Sequence, residues 1–155
     1  MRIMKYIGIG VVAILVVVGV TAPIGPLPGF FIGGNPTATP ATWPDTSGID
    51  EIQLRVPGTP PRVVIIWVVD VDGELHVVGS PDSGGVNMIG NGSGVEMRLG
   101  DATYSLNARP VTEGWVPILE AYVGKYQADY PDIVAGFPSI EEAEGQFAIF
   151  RLDPR

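Results

Sequence analysis

The sequence predicts a mainly β protein, an antiparallel barrel or rolled sheet with one principal helix, preceded by a single N-terminal membrane helix. Three features point there. Two pairs of strand-like runs are each joined by a short turn containing Asp and Gly, one stretch near residue 120 repeats apolar residues at helical spacing, and the chain closes on an alternating strand. At least five strands with one main helix imply an antiparallel sheet rolled on itself. With 155 residues and 46% hydrophobic side chains, the chain is long enough for one core and too apolar to be disordered.

The first element is an uncharged run over 7–24, IGIGVVAILVVVGVTAPI, preceded by the basic stretch MRIMK. Eighteen residues at about 1.5 Å each approach the roughly 30 Å of a hydrocarbon core. A cleaved signal peptide is the competing reading. Cleavage after Val20-Thr21-Ala22 would leave Pro23 directly behind the cut, a poor arrangement, so an uncleaved anchor over 1–24 is expected. Arg2 and Lys5 precede the run, and no further basic residue occurs until Arg55. The positive-inside bias therefore predicts a single-pass protein of the cytoplasmic membrane with its C-terminal domain on the outer, periplasmic side.

Nine of the fifteen prolines fall between Pro23 and Pro61, so 25–57 reads as a linker, either an extended stalk or an arm that hugs the domain. The adjacent Phe30 and Phe31 suit either a membrane interface or a cap on the folded domain. The barrel domain is expected over 58–155. Its first hairpin is RVVIIWVVD over 62–70, a turn centred on Asp72-Gly73, and LHVVG over 75–79. A second hairpin pairs VEMRL over 95–99 with 102–112 across Gly100-Asp101. In its first arm Val95, Met97 and Leu99 share the buried face.

Between the hairpins, 80–94 is rich in Gly, Ser and Asn without evident periodicity, the mark of a functional or mobile loop. A helix is predicted over 114–129, where Trp115, Leu119, Tyr122 and Tyr126 form one stripe and Pro117 falls in the first turn. Residues 131–145 read as irregular with a solvated acidic face. A strand over 146–152 closes the chain, with Phe147 and Ile149 opposite Ala148 and Phe150.

Composition excludes much chemistry. No cysteine is present, so disulfides, zinc-thiolate sites, cysteine nucleophiles and lipoprotein acylation are ruled out. The one histidine, His76, alternates within a strand beside a turn and reads as an exposed strand residue, so no metal site is expected. Asp70 and Asp72 are accounted for by turn chemistry. A net charge of -8 excludes nucleic acid as a partner, because phosphate binding needs a clustered basic surface.

Three segments in order carry a resemblance. Pro61-Arg62 leads into VVIIWVVDVDGELHVVGS, the Ser-Gly-Gly loop precedes VEMRLGDATYSLNARPVT, and FRLDPR closes the chain. Over 58–155 this resembles the split β-barrel proteins related to pyridoxamine-phosphate oxidase, particularly the deazaflavin-dependent nitroreductase branch. The resemblance implies a homodimeric oxidoreductase holding FMN or an 8-hydroxy-5-deazaflavin coenzyme. It places the cofactor at Arg62 and in the loop at Ser80, Ser83, Gly84, Gly85 and Asn87, and the substrate near Tyr126 and Tyr130. Arg offers a planar fork to phosphate, and Gly lets backbone approach closely. The family's aromatic residue and Asn-Pro pair are absent from this loop, which carries Asp82 and no Lys or Arg. A second reading therefore stands beside the first: an exported, non-catalytic binding or assembly module of the same fold that has lost its cofactor. Tyr126 likewise keeps its alternative as a core residue of the helix stripe.

Overall fold

The computed structural model describes residues 29–155 together with Val17. The anchor expected over 1–24 lies outside the described residues, apart from Val17. Among the described residues no helix is long and apolar enough to cross a membrane. In chain order the elements are β1 (Asn35–Pro36), β2 (Glu51–Val56), β3 (Arg62–Val71), β4 (Glu74–Gly79), α1 (Gly84–Ile89), β5 (Ser93–Leu99), β6 (Ala102–Pro110), α2 (Val116–Tyr126), α3 (Pro131–Val134), a 3-10 turn (Ile140–Glu142) and β7 (Ala148–Pro154).

Strands β2 to β7 form an antiparallel ring in the order β6-β5-β2-β3-β4-β7, closed by β6–β7 pairing. Closure pairs the two end strands of this order, β6 and β7, with each other. Two long strands make it work by changing partners along their length. β3 pairs with β2 from Arg62 to Trp67 and with β4 from Val68 to Val71. β6 pairs with β5 throughout its first seven residues and with β7 from Leu106 onward. The β3–β4 turn takes positive φ at both Asp72 (55°) and Gly73 (81°), the pair of left-handed residues that a tight hairpin with right-handed twist requires. Asp70 fixes it by accepting a 2.8 Å hydrogen bond from the Gly73 N–H.

Alternation along the strands divides the apolar residues into two cores. Inside the barrel lie Ile52, Leu54, Val56, Val68, Leu75, Val77, Val95, Met97, Leu106, Phe150 and Leu152. Outside it, Val69, Val78 and Ile149 are covered by Ile118, Tyr122 and Tyr126 of α2 and by Val134 of α3. The expected faces of β5 and of the closing strand hold, and Pro117 sits in the first turn of α2.

Several boundaries move. β2 lies inside 25–57, the stretch read as linker, yet it is a central barrel strand whose Ile52, Leu54 and Val56 are buried. Flanking prolines and only six residues of alternation disguised it. The stretch from 29 onward hugs the domain. Gly29 bridges to Val63, β1 pairs in parallel with β6, and Trp43 meets the Tyr104 ring edge-on at 5.1 Å. Gly34 must be glycine here, because a Cβ would lie 2.3 Å from the Thr103 hydroxyl and φ is +81°. The 80–94 loop contains a helix, α1, N-capped by the Ser83 hydroxyl, which accepts from the Val86 N–H at 3.3 Å. His76 is buried, at 3% exposure, rather than exposed. It sits on a strand paired on both sides, opposite Val69 of β3 and Arg151 of β7.

Candidate functional site

The arms of the first hairpin are unequal, and that inequality makes the site. β3 has ten residues and β4 six, and their ladder stops at Val68–Val77. Beyond that point the first half of β3 stays with β2 while β4 ends at Gly79, so the two strands part. Between them opens a cavity of about 400 Å³, within the range of small-ligand pockets. Its walls are apolar, built by Leu54, Val64, Ile66, Val77, Val86 and Phe150. α1 forms one side. It can seat against the end of β4 because Gly79 has no side chain: a Cβ there would lie 3.0 Å from the Val86 Cγ2.

The cavity draws together residues from two distant segments. Arg62 reaches it from the start of β3, and Ser80, Ser83, Gly84 and Gly85 reach it from the connection into α1. Among the described residues, Arg62 is the sole charged one on its lining. Nothing lies within 4 Å of where a Cβ on Gly84 or Gly85 would stand, so the backbone there is open to an approaching group. Asn87 points elsewhere. It is exposed, and its Nδ2 donates to the Asp82 carbonyl at 3.4 Å.

Tyr126 and Tyr130 do not line this cavity; they belong to the outer core. The Tyr126 ring stacks on Trp67 with centroids 4.2 Å apart and planes 13° from parallel. Its hydroxyl accepts from the Val68 N–H at 2.9 Å and lies 2.7 Å from the carbonyls of both Asp50 and Val68, either of which can take its one proton. Tyr130 donates to the Asp50 Oδ2 at 3.2 Å. Beside them, Lys125 Nζ donates to three backbone carbonyls, Thr46, Ile49 and Val68, at 2.7–2.9 Å. Burial lowers the Lys125 pKa and raises that of Tyr126, in each case by penalising the charged form. The pattern ties α2 to the stretch preceding β2 and to the middle of β3. It is a fastening.

The apolar lining was not legible as a site, because Val64, Ile66 and Val77 carry the same alternation as any barrel core. One signal was available. A run of nine strand-like residues facing one of five across an Asp-Gly turn must leave part of the longer arm unpaired.

No family model matches the chain, and no curated protein matches it. Solved structures are similar to it at low identity. The heme storage protein HutZ from Vibrio cholerae is 16% identical, with 68% of this chain and 82% of that one covered and a TM-score of 0.47. An F420 reductase is 18% identical, covering 73% and 96%, with a TM-score of 0.41. A pyridoxamine 5'-phosphate oxidase-related, FMN-binding protein from Nostoc punctiforme is 12% identical, covering 70% and 71%, with a TM-score of 0.40. The closed six-strand antiparallel ring, in which β3 and β6 each change partners along their length, agrees with the antiparallel barrel expected from the sequence.

The site's residues fit a flavin-type group in two respects. The apolar walls suit a fused planar ring, and a guanidinium beside open glycine backbone suits a phosphate. They supply no second cation.

Proposed function

We propose that the protein is an oxidoreductase-like split-barrel protein that binds a flavin or deazaflavin cofactor in the β3–β4 cavity and is carried on the outer face of the cytoplasmic membrane by residues 7–24. The observation that carries this reading is the meeting of Arg62 with Ser80, Ser83, Gly84 and Gly85 around one apolar cavity. Arg62 would take the phosphate, Ser80 and Ser83 would donate hydrogen bonds, and the Val, Ile and Phe walls would keep water from the ring. The bound cofactor would supply hydride chemistry, the protein its orientation and shielding. The homodimer implied by the resemblance is part of this proposal, and light scattering of the purified chain would measure it.

A specific feature favours a second reading. The cavity lining offers one arginine and hydroxyls, and no group that exchanges a proton near neutral pH. A non-catalytic binding or assembly module on the same anchor would need none.

One titration separates the two. The purified chain is followed by visible absorption on adding FMN and then the deazaflavin coenzyme, alongside Arg62→Ala. The cofactor reading expects a bound chromophore whose affinity Arg62→Ala lowers about tenfold, which corresponds to about 1.4 kcal/mol. A chain that takes up neither chromophore overturns it in favour of the module.

A further inference from the structure

We propose that Phe30 and Phe31 dock the barrel onto the lipid surface, holding the cavity end of the β3–β4 hairpin toward the bilayer and the Asp72-Gly73 turn away from it. The inference rests on the reading of residues 7–24 as a membrane anchor and goes beyond it by assigning a surface and an orientation.

Chain length sets the geometry. The segment read as the anchor ends at Ile24, and Gly29 is fixed to the barrel by two hydrogen bonds, Gly29 N–H to the Val63 carbonyl at 2.9 Å and Val63 N–H to the Gly29 carbonyl at 2.8 Å. Five peptide steps reach at most about 18 Å in any conformation. Val63 lies between Arg62 and Val64, both of which line the cavity. From Val63 to the end of β3 at Val71 is about 26 Å at 3.3 Å per residue, farther than the tether reaches. The anchor thus holds the barrel by the cavity end of β3.

At this point two large apolar side chains stand uncovered. Phe31 is 73% exposed and Phe30 39% exposed, while the next residue, Ile32, is buried. An adjacent aromatic pair within reach of a bilayer favours the headgroup level. A short tether also makes lipid the occupant at hand, since its local concentration is set by the anchor rather than by diffusion.

The absence of native cysteine makes the test clean, because one introduced thiol is the only one. Full-length Phe31→Cys, Asp82→Cys and Glu74→Cys would each carry an environment-sensitive fluorophore, reconstituted in vesicles of phosphatidylcholine with phosphatidylglycerol. Residue 82 adjoins the cavity rim, and residue 74 opens β4 at the opposite end of the hairpin. With lipids bearing a nitroxide near the headgroup, quenching is expected to be at least threefold stronger at residue 31 than at residue 74, with residue 82 between them. Equal quenching at residues 31 and 74 in chains that float with the vesicles would overturn the docking while leaving the anchor standing. Failure of the unlabelled chain to float would overturn both. A residue-31 label shielded from aqueous iodide yet untouched by nitroxide lipid would assign Phe30 and Phe31 to a second copy of the chain, and would also overturn the proposal.

Discussion

Among single residues, Tyr126 separates a substrate role from a structural one. Its hydroxyl partners the Val68 N–H and a backbone carbonyl inside the outer core, so Tyr126→Phe leaves buried polar groups unmatched. A loss of about 1–3 kcal/mol in urea unfolding is expected, with cofactor titration unchanged. His76 gives a pH signature with a definite sign. Desolvation holds its pKa below 6.5, outweighing the Glu74 carbonyl bonded to Nδ1 and the nearby Glu74 and Asp70 charges, while Arg151 pushes in the same direction as burial. Between the folded value and 6.5 the unfolded chain binds a proton that the folded chain refuses. The contribution of His76 is therefore complete above 6.5 and is lost as pH falls toward the folded value. Denaturation midpoints at pH 7.5 and 5.5 should fall less for His76→Gln than for the natural chain. Neither the burial of His76 nor the fastening role of Lys125 could be read from the sequence, since both depend on what lies across the sheet or beyond the helix.

At the level of elements, α1 and the end of β4 act as one unit. A Cβ at Gly79 would stand 3.0 Å from the Val86 Cγ2, so a side chain there presses on α1. Gly79→Val should push α1 off the barrel, lower FMN affinity by tenfold or more and open 80–92 to proteolysis, while far-ultraviolet circular dichroism stays nearly constant. Adding Val86→Ala should restore much of the affinity, because it removes the colliding methyl; a double variant no better than the single would refute this seating. The hairpins were legible because alternation and Asp-Gly turns are local properties. α1 was not, since a six-residue helix buries only Ile89 and shows no full period. Of the anticipated cofactor residues, Arg62, Ser80, Ser83, Gly84 and Gly85 do share one cavity, whereas Asn87 faces solvent.

For the whole molecule, the decisive strand is β2. A chain beginning at residue 58 would lack Ile52, Leu54 and Val56, three buried side chains each worth about 1.5–3 kcal/mol. That loss alone is comparable to the 5–15 kcal/mol stabilising a typical domain. The 58–155 fragment should therefore be unfolded by circular dichroism, whereas 29–155, which keeps β2 and the Gly29–Val63 bridge, should melt cooperatively. By itself the sequence determined the mainly β character, both hairpins, the buried face of β5 and the principal helix, because turn chemistry and periodicity act over a few neighbours. Only the tertiary structure decided that β2 belongs to the barrel, that His76 is buried, that Tyr126 fastens α2 to β3, and that β3 and β4 part to open a cavity. Each of these is fixed by which strands become neighbours when the sheet closes, and that choice couples residues dozens of positions apart.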